Sequence, residues 1–116
     1  MNTKFPSDFM EFLSDITEAI QSATDFETLD QHRPNDFEVR NGSIFVKTDS
    51  SKPKFLRIPT KYFEVTFDKL SQDREISRKY MRNPLGIYRT SAISTLLSRL
   101  LYIVPSTKPI RFKVKE

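Results

Sequence analysis

The stretch "ISRKYMRNPLGIYRTSAISTLLSRL", residues 76–100, decides how this chain is read. Ser77 is placed to cap a short helix running to about Arg82, Asn83-Pro84 stops that helix, and Gly86 supports a turn. From about Thr90 to Leu101 the spacing predicts a longer helix. At ~100° per residue, Ile93, Leu96, Leu97 and Leu100 fall within a third of its circumference and form a core stripe. Ser91, Ser94, Thr95 and Ser98 occupy the opposite side, with Arg99 at its edge. Two readings follow. Either this is a recognition helix that enters a nucleic-acid groove, or it is a core helix whose outer face is rich in serine and threonine.

On the N-terminal side, "TKYFEVTFDKLSQD" (60–73) places Phe63, Phe67 and Leu70 at helical spacing, with Thr60 able to cap the start. The run "FEVTF" also alternates like a strand, but Leu70 continues the helical stripe. On the C-terminal side, "YIVPSTKPIRFKVKE" (102–116) divides into two short β segments around Pro105-Ser106-Thr107. Helix, short helix, turn, long helix and β-hairpin, in that order over residues 60–115, resemble the winged helix-turn-helix superfamily.

The resemblance implies a duplex-DNA partner, with the second helix of the pair in the major groove and the wing on the backbone or minor groove. Arg78, Lys79 and Arg82 would then grip the backbone, and Lys108 and Arg111 would do so from the wing. Tyr88, Arg89, Thr90 and Ser91 would stand at the amino end of the longer helix, where backbone N–H groups and the dipole favour phosphate. Ser94 and Ser98 would lie along its back, short enough for close approach, and Arg89, Ser91 and Ser94 would reach bases. Bidentate guanine readout needs Arg or Lys on the groove side, and only Arg89 and Arg99 offer it. Contact is therefore expected mainly through phosphates.

Charge supports an anionic partner. Residues 1–50 carry four Lys/Arg against ten Asp/Glu, a net −6, whereas residues 51–116 carry fifteen against five, a net +10. The 116 residues suit one domain, 1–116, with an acidic part (1–59) and a basic part (60–116). In the acidic part, Phe9, Leu13, Ile16, Ile20 and Ala23 form the apolar stripe of a first helix. Pro6, Asp8 and Glu11 suit the start of that helix, and Asp15 and Glu18 continue an acidic outer face that could dock a protein. "DFEVRNGSIFVKTD" (36–49) is a hairpin turning at Asn41-Gly42, with Val39 facing Ile44 and Phe37 facing Val46. "FLRI" (55–58) adds a third strand ending at Pro59. The expected class is α+β: an N-terminal helix, a small antiparallel sheet, and a winged-helix-like C-terminal unit of three helices.

Composition argues against catalysis. Two glycines cannot build a phosphate-cradling loop, and the absence of cysteine removes thiolate nucleophiles and cysteine-based zinc sites. The single histidine, His32, sits in loop-like "DQHRPND" with no ligand spacing around it. No enzyme activity, metal or cofactor is expected. No apolar run approaches the ~20 residues of a membrane span, and the start lacks a signal-peptide pattern, so a cytoplasmic location is expected.

Two other functions compete with DNA binding. One is a small protein-interaction or modulator protein of phage or mobile-element type, using the acidic helix or the basic part. The other is single-stranded nucleic-acid or RNA binding through Tyr62, Tyr80, Tyr88 and Tyr102. Most of these tyrosines read as core edges, with Tyr88 beside Arg89 the exception, and no basic–aromatic–basic strand stands out.

Overall fold

A computed structural model describes residues 1–22, 26–27, 34–48, 54–88 and 90–116. The elements are α1 (Phe9–Ser22), β1 (Phe26–Glu27), β2 (Pro34–Arg40), β3 (Ser43–Lys47), β4 (Leu56–Ile58), α2 (Thr60–Asp73), β5 (Glu75–Ser77), α3 (Arg78–Arg82), α4 (Thr90–Leu97), β6 (Ile103–Thr107) and β7 (Ile110–Val114). They build an α+β fold with two antiparallel sheets, β1-β2-β3-β4 and β5-β7-β6.

The first helix begins where Asp8 Oδ1 accepts the Met10 N–H at 2.7 Å, satisfying one of the amide donors exposed at a helix start. Its inward stripe is Phe12, Asp15, Ile16, Ala19 and Ile20. Phe9 and Leu13 are half-buried beside it, and Ala23 lies outside the described residues. The helix thus sits rotated from the expected stripe, and Asp15, assigned to the acidic outer face, is inside. Helix α1 contacts β2 of the first sheet and both α2 and α4.

The hairpin folds in the register its turn dictates. Asn41 (φ 50°) and Gly42 (φ 80°) both take the left-handed conformation that a two-residue turn requires. Val39 pairs with Ile44 and Phe37 with Val46, so the apolar residues share the core side. Gly42→Ala leaves space for the methyl but strains the backbone. A loss of about 1 kcal/mol is expected, read as a lower denaturant midpoint.

In the C-terminal part Phe63, Thr66, Phe67 and Leu70 are the buried face of α2. Pro59, not Thr60, stands at its start, and no side chain caps it. Arg74 ends it in the left-handed conformation, its N–H donating to Leu70 O at 3.0 Å. Strand β5, three residues long, is too short to show a period in sequence. Ser77 then caps α3, its Oγ accepting the Tyr80 N–H at 3.0 Å. Helix α4 ends at Leu97, four residues early, because the chain tightens into three-residue turns closed by Arg99 N–H to Leu96 O and Leu100 N–H to Leu97 O. The hairpin turn lies at Lys108-Pro109 instead of residues 105–107. Pro105 is accommodated within β6 because β6 is an edge strand.

One core joins these parts. Phe12, Phe63, Leu96, Tyr102 and Phe112 are fully buried in it. Phe5, from the segment before α1, stacks on Phe67 at 5.4 Å and meets the Tyr102 ring edge-on at 5.6 Å.

Candidate nucleic-acid interface

The serine–threonine back of α4 is not open to solvent. Thr90 is 5% exposed, and Ser94 and Thr95 are each 1% exposed. Thr95 Oγ1 turns back to donate to Ser91 O at 2.9 Å, and Ser98 Oγ donates to Thr95 O at 2.6 Å. Ser94 Oγ is buried without a hydrogen-bond partner among the described residues. At the end of the helix the Arg99 guanidinium lies over the Phe26 ring of β1 at 5.0 Å.

These observations correct the expected roles of Thr90 and Ser94, which cannot meet a base or phosphate in this arrangement. Ser91 and Ser98 are half-buried, and the Ser98 hydroxyl is engaged with its own backbone. Helix α1 of the N-terminal half packs against α4, and just past the end of α4 Arg99 lies over Phe26 of β1. Tyr88 is 90% exposed in the preceding turn, and Arg89 lies outside the described residues.

The remaining expected residues come from two neighbouring elements. Helix α3 packs against β5 and β7. Lys79 and Arg82 are exposed on it, with Arg78 half-buried. On β7, Ile110, Phe112 and Val114 point into the core, so Arg111 and Lys113 take the outer face. Lys108 is exposed in the β6–β7 turn. Lys79, Arg82, Lys108, Arg111 and Lys113 pair with no carboxylate among the described residues. Lys113 was missed at the sequence level, although the alternation in "IRFKV" already puts it on the face of Arg111.

Between these elements runs a groove of about 420 Å³ lined by Lys69, Asp73, Glu75, Ile76, Ser77, Tyr80 and Arg111. Lys69 pairs with Asp73 and lies over the Tyr80 ring at 4.1 Å. The hydrogen bond to Asp73 holds the lysine's pKa above its ordinary value. Asp73 is therefore paired within the groove, where Arg111 and Glu75 are the other two charged groups and form no salt bridge among the described residues.

A second polar cluster is structural. Asp15 is 4% exposed, and its Oδ2 accepts from the Tyr102 hydroxyl at 2.9 Å and from Asn2 Nδ2 at 3.1 Å. Its Oδ1 accepts the Asn2 backbone N–H at 3.1 Å. Burial, and then the hydrogen bond to the carboxylate, push the Tyr102 phenol above its ordinary pKa. This cluster ties α1 to the connection between α4 and β6, and it removes Tyr102 from any stacking role. Tyr62 and Tyr80 are half-buried against the core.

No protein-family model, no characterised protein and no solved structure matches the chain. No described helix is long and apolar enough to cross a membrane. Among the described residues no group of His, Asp and Glu side chains is arranged to hold a metal ion, and His32 lies outside them.

Proposed function

We propose that this chain is a small non-catalytic DNA-binding protein or target-reading module whose winged-helix-like unit holds duplex DNA chiefly by its phosphates. The observation that carries the reading is the set of five cations on α3, β7 and the β6–β7 turn that lack carboxylate partners among the described residues. The order α2, β5, α3, α4, β6, β7, with the hairpin folded back onto β5, supports the resemblance to winged-helix proteins. With α4 covered, contact shifts to α3 and the hairpin. Such phosphate contacts position a protein on the duplex without reading its sequence directly.

The test is fluorescence anisotropy on a mixed-sequence duplex across a salt series. Affinity should fall steeply as salt rises, since each neutralised phosphate contributes about −0.9 to the log–log slope. Replacing Lys79, Arg82 and Arg111 together with glutamine should flatten that slope by roughly 2–3, leaving the melting temperature within a few degrees. Absence of wild-type binding at about 50 mM salt, where phosphate contacts are strong, overturns the reading.

One observation favours a protein partner for α1 instead: Met10 is 66% exposed among the acidic Asp8 and Glu11. Recovery of one partner after nuclease treatment, lost in Met10→Asp, would support that role.

A further inference from the structure

Of the ten phenylalanines, eight lie in the core or against it; Phe45 and Phe55 do not. Both are half-buried on the other side of the first sheet. The strand registers show why. Ile44 pairs with Ile58 and Val46 with Leu56 on the core side, so Phe45 and its partner Arg57 face outward. Continuing the register one step past Val46–Leu56 sets Phe55 beside Lys47 on that same outer face. The Arg40 guanidinium spans the two rings, 5.1 Å from the Phe45 centroid and 5.5 Å from that of Phe55. Lys47 Nζ sits 4.9 Å from the Phe55 centroid. Charge on this face is unbalanced towards positive. Glu38 pairs with Arg40 at 2.7 Å and Asp36 with Lys47 at 3.6 Å, whereas the exposed Arg57 pairs with no carboxylate among the described residues; Lys54, exposed and next to Phe55 in the chain, pairs with none either.

We propose that this outer sheet face is a second nucleic-acid site, a stacking platform for two successive unpaired bases of a single strand. Phe45 and Phe55 supply ring surfaces, and the exposed plane of Arg40, whose side chain is 52% exposed, extends the stack. Arg57, opposite Phe45 on the same face, takes a phosphate beside the stack. Two outward aromatics crossed by guanidinium and ammonium groups are the pairing of stacking and positive charge by which proteins hold single strands without sequence preference. The site is separate from the duplex surface on α3 and β7 and does not depend on it. It also supplies what Tyr62, Tyr80 and Tyr102 cannot: aromatic surface outside the core.

The experiment titrates the full chain with labelled oligo(dT), oligo(rU) of equal length, and a mixed-sequence duplex. Phe45→Leu/Phe55→Leu, which keeps apolar bulk but removes the rings, should weaken binding of the single strands about tenfold or more. Its duplex affinity should be unchanged. The Lys79/Arg82/Arg111 glutamine variant should show the reverse pattern, which separates failure of this site from failure of the duplex reading. Arg57→Glu, at an exposed position that does not threaten folding, should also weaken single-strand binding. On the wild type, stacking should shift the Phe45 and Phe55 ring-proton resonances upfield as oligo(dT) is added. Unshifted ring resonances, or single-strand affinity that neither variant reduces, overturns the proposal.

Discussion

Ser94→Arg is expected to lower the melting temperature by about 15 °C or more, or to abolish folding. Ser94 is 1% exposed, and its hydroxyl has no partner among the described residues, so an arginine there must bury a charge with nothing arranged to receive it. Uncompensated buried charge costs about 3–5 kcal/mol, and overpacking adds to it. That is a large share of the ~5–15 kcal/mol that holds a domain of this size. Ser94→Ala should be neutral or slightly stabilising, since it removes a hydroxyl whose burial is not repaid by a hydrogen bond. Ser91→Arg, at a half-buried position one turn edge away, should be much milder. The trio tests how α4 is used. A helix lying free in a groove would accept arginine at 94 without loss of stability and bind DNA more tightly for it. Scanning calorimetry with duplex titration distinguishes the two outcomes.

Tyr102→Phe should cost about 2 kcal/mol at neutral pH, the scale of a hydrogen bond to a charged group, because the buried Asp15 carboxylate loses a donor and keeps only Asn2. The same substitution should change the alkaline limb of the stability curve. In the unfolded chain the phenol ionises near its ordinary value of about 10. In the folded protein burial and Asp15 raise that value, so the folded state retains a proton the unfolded state has released. The stabilisation is therefore complete below about pH 10 and declines above it, at up to ~1.4 kcal/mol per pH unit. Urea midpoints measured from pH 8 to 11 should fall more steeply for the wild type than for Tyr102→Phe. Parallel alkaline limbs would show that Tyr102 is not the group responsible.

Local signals in this chain were legible for physical reasons that can be named. The Asn41-Gly42 turn admits one register, and the alternation of Phe37, Val39, Ile44 and Val46 agrees with it, so turn and burial gave the same answer. Ile93, Leu96 and Leu97 are buried as their helical spacing requires. Ser77 caps α3 because its hydroxyl can reach an amide only three residues away. Each of these needs information from within a few residues. The outward placement of Phe45 follows equally from its parity against Ile44 and Val46.

Layering is another matter. Whether Ser94 and Thr95 face water depends on how the rest of the fold packs around α4, including α1 from the far end of the chain. Asp15 reads as one more acid on a solvated helix face until Tyr102, 87 residues away, is seen to donate to it. The same holds for the basic residues: spacing places Lys79 on a helix and Arg111 on a strand, but only the contact between α3 and β7 makes them neighbours. Periodicity ranks the faces of a single element by polarity. It cannot say which polar face a second layer will cover, because that choice is settled by shape, hydrogen-bond satisfaction and apolar area summed over the whole core.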